Sequence, residues 1–376
     1  MTRTVLLQLV RLPALRPAAK PRGSASVFAR RRGAAAALLV GVVGVLVIHA
    51  VALILMESAY PQLRDPEYGR RAAALRARLA EHPGRPLVLV VGSSRTCMGL
   101  SPAAWEAARP GGADPLLFNM GLVGGGPVIE LMALRRAYAD GFRPDAVVIE
   151  FWPPFLREDG AFHEPDRIDH VRLFTGDEPL VRDYFPDPDK TAAQMRHDRF
   201  HPLYEARHRL LAQIAPRWQP WDRRMDLAWG GLDGWGWLPG LDEYPAKPDE
   251  RAKRLAHCEP IYRGQFAGYT VHPLADRALR EAVGLARARG AKVTLAYLPE
   301  SSEFRGWMPP EVERAAQDYL ARLRRELNLP LIDARLWVDD GFLVDGFHLS
   351  RQGAAEFTRR FGPAVSAALG PAGGRE

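Results

Sequence analysis

The chain reads as an α/β protein: a three-layer sandwich on a central parallel sheet, with one N-terminal transmembrane helix and a large irregular insertion. Three observations predict this. Short continuous apolar runs such as Pro86-Leu-Val-Leu-Val-Val91 mark strands buried on both faces. Helical stretches alternate with these runs, which implies parallel strands covered by helices on both sides. Residues Gly33–Met56 contain no Asp, Glu, Lys or Arg, an apolar length that core helices rarely reach.

Composition narrows the class. The chain has 376 residues, 47% hydrophobic and 25% charged, which fits one large folded domain with additions rather than disorder. The net charge is +7, but residues 1–32 alone carry +8 and no acid, so the rest is at −1. A near-neutral body lacks the distributed basic face that nucleic acid needs. Cys97 and Cys258 are too few and too far apart for a disulfide framework. Either one bridge or two buried thiols is compatible with them.

The first element is the span. The 24 residues Gly33–Met56 make about 36 Å of helix, enough for a hydrocarbon core of roughly 30 Å. A cleaved signal peptide would be shorter and end in a small-x-small site, where Glu57 stands instead. The segment therefore reads as an uncleaved anchor in the inner or plasma membrane. Arg30-Arg31-Arg32 abuts its N-terminal side, so a basic tail at 1–32 is expected in the cytoplasm. Residues after about 57 are then periplasmic or extracellular, where ATP and nicotinamide are not expected; no cofactor is predicted.

Residues 57–84 follow as a charged helical stalk, with Arg70, Arg71, Arg76 and Arg78 among Ala and Leu. The domain at 85–370 opens with the strand 86–91, ending in Gly92-Ser93-Ser94. Leu116–Phe118 is the next strand, ending at Asn119-Met120-Gly121, and a helix follows over 126–140. Ala146–Ile149 is a third strand. Residues 155–272, rich in Pro, His, Arg and Trp and weakly periodic, read as an insertion that caps the site. A helix at 274–289, a strand at 292–297, a helix at 309–327, a strand at 329–333 and a helix at 350–369 complete the pattern. Ligands in such sheets bind beyond the carboxyl ends of the strands, where Gly92–Ser94, Asn119–Gly121 and Tyr297–Glu300 all lie.

A serine at a strand end needs a base, and the base needs an orienting acid. Asp345-Gly-Phe-His348, just before the last helix, supplies both. These residues resemble an SGNH/GDSL hydrolase: the Gly92-Ser-Ser94 turn, Asn119-Met-Gly121 and Asp345-x-x-His348 look like its blocks I, II and V, in that order. The resemblance is closest to a membrane-anchored branch that includes proteins similar to the alginate O-acetylation and teichoic-acid D-alanyl transfer proteins. It implies an SGNH/flavodoxin-like sandwich over about 86–155 and 290–365. It also implies Ser94 as nucleophile, His348 as base, Asp345 as its orienter, and the N–H groups of Ser94 and Gly121 as oxyanion donors. Block III of the family supplies an oxyanion Asn after the next strand. This chain has Glu150-Phe-Trp-Pro-Pro154 there, so Asn119 or Arg95 is the expected substitute.

The implied function is that of a membrane-anchored serine acyltransferase or esterase acting on acyl groups of cell-envelope glycans. Its partners would be the membrane, an acyl ester or envelope glycan, and a multi-span acyl exporter. The alternative is a non-catalytic glycan-binding or assembly protein on a decayed SGNH domain. Arg95 reads equally as a substrate contact or as a salt bridge between strand ends, Glu150 as a buried acid at the site or a structural acceptor, and Ser93 as the lesser nucleophile. His163, Glu164, Asp166, Asp169 and His170 crowd together without closed zinc or calcium spacing, and His197, His201 and His208 are only partly helical in spacing; no metal is predicted. Trp218, Trp221, Trp229, Trp235 and Trp237 read as packing, membrane contact or a sugar platform.

Overall fold

The computed structural model describes residues 24–108, 115–157, 163–219, 231–240 and 247–369. The chain divides into two compact units, Met1–Val51 and Ala52–Glu376. Helix α1 (Ser24–Ile54) supplies, as far as Val51, the described part of the first; residues 1–23 of the expected basic tail, and Trp221 and Trp229, lie outside the described residues. The stretch Arg30–Ala59 is long and apolar enough to cross a membrane. Leu38, Val40, Leu46 and Ile54 along it are exposed. The His49 ring Nδ1 lies 3.0 Å from the Val45 carbonyl, so its polar edge is met within the helix.

In the second unit, five strands form one sheet: β1 (Leu87–Val91), β2 (Leu116–Asn119), β3 (Ala146–Glu150), β4 (Lys292–Tyr297) and β5 (Leu331–Asp333). Their order is β2-β1-β3-β4-β5 and every pairing is parallel. The apolar runs follow from burial on both faces. Leu87, Leu89 and Val91 point into a core made with α2 (Pro66–Glu81), α5 (Pro127–Ala139), α11 (Pro273–Ala288) and α13 (Pro310–Leu327). Val88 and Val90 point the other way, toward α4 (Pro102–Ala107) and α14 (Arg351–Leu369), which bring Trp105, Phe357 and Phe361. This is the predicted three-layer α/β sandwich.

Two readings change. The 57–84 segment is not a stalk, because α2 lies within the core. Tyr68, Ala72 and Leu75 form an i, i+4, i+7 stripe with no more than 2% of each exposed. The dense arginines hid that stripe, and Arg71 is itself fully buried. Asp65 caps α2, its Oδ1 accepting from the Glu67 and Tyr68 N–H groups. The same carboxylate pairs with Arg136 and Arg172, each at 2.9 Å.

The insertion is richer in helix than its weak periodicity implied. It carries α6 (Glu164–Arg167), α7 (Glu178–Tyr184), α8 (Pro188–Phe200), α9 (Pro202–Ile214) and α10 (Pro248–Phe266). Each begins with a proline in its first two positions, where the ring's fixed φ suits a helix start and no N–H is lost. The prolines that read as irregularity are helix starts.

Leu75→Ala should therefore cost about 2–5 kcal/mol, as for a core leucine, read as a lower denaturant midpoint of the full chain; a stalk residue would leave it unchanged. Burial pushes the Asp65 carboxyl up, but the charges and hydrogen bonds of Arg172 and Arg136 outweigh this and hold it at about 2, against an ordinary 3.8. Its stabilising effect is thus complete above about pH 3.8 and disappears as pH falls toward about 2, an acid-limb loss of about 2 kcal/mol. Asp65→Asn should flatten that limb in denaturant midpoints measured from about pH 5 downward.

Candidate active site

The turn after β1 is built around a buried carboxylate. Gly92 admits no side chain, since a Cβ there would sit 2.1 Å from Thr96 Oγ1 and 2.4 Å from Glu150 Oε2. Ser93 caps the short helix α3 (Ser94–Gly99), its Oγ accepting from the Arg95 N–H at 3.1 Å. Glu150, at the end of β3, accepts from the Ser93 N–H at 2.8 Å, the Ser93 hydroxyl at 3.0 Å and the Thr96 hydroxyl at 2.6 Å. Ser93 is thus turned inward, away from a nucleophile's place, and Glu150 is a structural acceptor. Ser94, the next residue, is part-exposed and its Oγ lies 2.8 Å from His348 Nε2.

The base stands on a tight loop between α12 (Ser302–Trp307) and α14 in space. Leu343 and Leu349 form an antiparallel bridge, and the Val344 N–H donates to the His348 carbonyl. Gly346 sits at φ +104°, which a side chain would strain, and its carbonyl accepts from the Ser301 N–H at 2.8 Å. Asp345 Oδ1 accepts from the Phe347 and His348 N–H groups at 3.2 and 2.9 Å, and Oδ2 lies 2.7 Å from His348 Nδ1. Burial alone would raise the Asp345 carboxyl; the His348 ring and these N–H donors outweigh it and hold it below the usual carboxylate range. A charged Asp345 places the ring proton on Nδ1 and leaves Nε2 to accept from the serine.

The insertion supports this loop with residues the sequence did not single out. Arg251 on α10 donates from Nε to the Leu343 carbonyl at 3.0 Å and grips Glu303 at 2.6 and 2.9 Å. Tyr262, on the same helix, packs its ring 4.8 Å from Phe347, which lies 4.5 Å from the His348 ring. Tyr262 follows Arg251 by three helical turns, a spacing hidden in a segment of weak apolar periodicity.

The predicted oxyanion donors fare differently. The Gly121 N–H donates to Asn119 Oδ1 at 2.9 Å, so it is already engaged. Asn119 is fully buried, and its Nδ2 donates to the carbonyls of Thr96, Cys97 and Leu100 at 2.8, 3.2 and 2.7 Å. Both therefore hold the end of α3 rather than face a substrate. The Ser94 N–H, at the first position of α3, has no partner within the helix.

Arg95 is not a substrate contact. It is 2% exposed and donates from Nη2 to the Leu298 and Pro299 carbonyls at 2.9 and 3.0 Å. It also lies 3.5 Å from Glu150, 3.8 Å from Glu300 and 4.6 Å above the Trp152 ring. It joins the ends of β1, β3 and β4, because a long planar cation can satisfy several buried acceptors at once.

The remaining candidates are occupied elsewhere. Glu164 accepts from the Gly126, Val128 and Ile129 N–H groups at the start of α5. His163 meets Asp166, and His170 meets Asp198. Among the described residues no group of three or more His, Cys, Asp or Glu is placed to hold a metal. Cys97 and Cys258 are both free thiols; Cys97 Sγ accepts from Arg71 Nη2 at 2.9 Å. Trp237 donates to the Met98 carbonyl and Trp235 stacks on His82, whereas Trp218 is 79% exposed.

Arg95→Met should lower the unfolding free energy by about 3–5 kcal/mol, as expected when a buried acid loses its cation, read as a lower denaturant midpoint. A substrate-binding Arg95 would instead raise KM and leave stability unchanged.

No family model and no curated protein matches the chain. Among solved structures it is similar to a carbohydrate acetylesterase family member from Sinorhizobium meliloti, at 15% identity over 76% of this chain and 100% of that one, with a TM-score of 0.31.

Proposed function

We propose that the chain is a membrane-anchored serine acyltransferase or esterase acting outside the cytoplasm on acyl groups of cell-envelope glycans. One observation carries this reading: the unbroken relay from Ser94 Oγ to His348 Nε2 at 2.8 Å and from His348 Nδ1 to Asp345 at 2.7 Å. In it, Ser94 Oγ attacks the acyl carbonyl carbon as its proton passes to His348 Nε2. The tetrahedral intermediate collapses, the alcohol leaves with that proton, and the acyl group remains on Ser94. His348 then takes the proton of an incoming hydroxyl, which attacks the acyl-enzyme and releases the serine. A glycan hydroxyl as acceptor makes this transfer; water makes it hydrolysis. The apolar stretch Arg30–Ala59 supports anchoring. The basic flank at Arg30-Arg31-Arg32 supports a cytoplasmic N-terminus. A multi-span acyl exporter as donor partner belongs to the same reading.

A second reading has an observation of its own. With Gly121 and Asn119 engaged and no Asn within Glu150–Pro154, the Ser94 N–H stands without the other predicted donors. One missing oxyanion donor removes about 3–4 kcal/mol of transition-state stabilisation. This favours a glycan-binding or assembly protein on a domain that has lost its chemistry.

A fluorophosphonate probe separates the two. The enzyme reading expects the wild-type chain to label, Ser94→Ala not to label, and Asp345→Asn to label about 10²–10⁴-fold more slowly. Absence of labelling in the folded wild type would overturn it. Unlabelled wild-type chain offered p-nitrophenyl acetate with and without a glycan acceptor then distinguishes hydrolysis from transfer.

A further inference from the structure

We propose that the corner between α8 and α9 is a docking foot that rests on the anionic headgroup layer of the membrane, a proposal that depends on reading Arg30–Ala59 as a span. A hydrocarbon-crossing stretch that ends at Met56 leaves Glu57–Leu63 in the headgroup layer, which is only about 5–8 Å deep on each side of the hydrocarbon. The insertion reaches back to that stretch at several points. Arg209 on α9 donates from Nε to the Leu63 carbonyl at 2.7 Å. Arg199 at the end of α8 lies 3.9 Å from Glu57, and Thr175 donates its N–H to Glu57 at 3.1 Å. Phe200 follows Arg199 directly, about 3.8 Å away from Cα to Cα. The corner is therefore held within reach of the headgroups by contacts inside its own unit.

Its exposed chemistry suits that place. Phe200 is 78% exposed and Tyr204 62%, with Leu203 exposed between them and Tyr60 half exposed on the chain leaving the span. Tyr is enriched at the bilayer interface, and Phe and Leu line the buried side of helices that lie in it. Arg196 and Arg207, both exposed, flank the corner, and each such cation near a membrane surface attracts anionic lipid. Protein partners use aromatic patches too, but the tether to residues 57–63 and the excess of arginine favour lipid.

The test uses the full chain in nanodiscs. Phe200→Trp adds an emitter at an exposed position, and its difference spectrum against wild type isolates it from the native tryptophans. In discs of brominated phosphatidylcholine and phosphatidylglycerol, that added emission should fall by about half or more, as for an interfacial aromatic. The loss should shrink when Arg196 and Arg207 are replaced by serine. Unchanged emission, in a chain that resists carbonate extraction from membranes, would overturn the foot and leave the face to a protein partner. Release of the chain by carbonate would overturn the span reading itself, and the foot with it.

Discussion

The site depends first on the Glu150 carboxylate. It sits at the end of a central strand, 5% exposed, and collects one backbone N–H and two hydroxyls from the turn that carries Ser94. A buried carboxylate is costly unless its oxygens are met by donors. The turn is therefore held in the one arrangement that meets them, with Ser93 inward and Ser94 outward. Arg95 completes the arrangement from the other side, linking Glu150 to the backbone beyond β4. The candidate nucleophile is positioned by the desolvation cost of a buried neighbouring carboxylate.

The partner loop obeys the same logic with weaker burial. Asp345 orders its own loop through two N–H bonds before it orients His348, so one carboxylate sets both the backbone and the ring. Arg251 and Tyr262 of the insertion then hold that loop against α12 and the aromatic cluster around Phe304. Through these two residues the insertion walls one side of the site. From the opposite side, α2 sends Glu67 to the Val123 N–H at 2.6 Å and Arg71 to Cys97. Helix α2 thus braces the turns around Ser94.

Strand burial made the sheet legible. A parallel strand covered on both faces has no polar face to break its apolar run, so all five strands stand within a few residues of where the runs lie. Ser94 and the Asp345–His348 pair were legible because their positions, a strand end and a short spacing before a helix, are local features. The roles of Gly121, Asn119 and Arg95 were not. Each depends on which acceptor is nearest in space: Asn119 meets carbonyls about twenty residues earlier, and Arg95 meets carbonyls about two hundred residues later. The buried stripe of α2 was masked by arginines, because composition weighs every residue whereas packing weighs only one face.

By itself, then, the sequence determined the layer architecture, the long apolar helix and the residues from which a serine relay can be assembled, since periodicity, length and spacing act along the chain. The tertiary structure alone decided which polar groups are free to meet a substrate and which are bound within the protein. A hydrogen-bond donor satisfied by a buried acceptor is unavailable for chemistry, and which acceptor it finds is fixed only when distant segments come together.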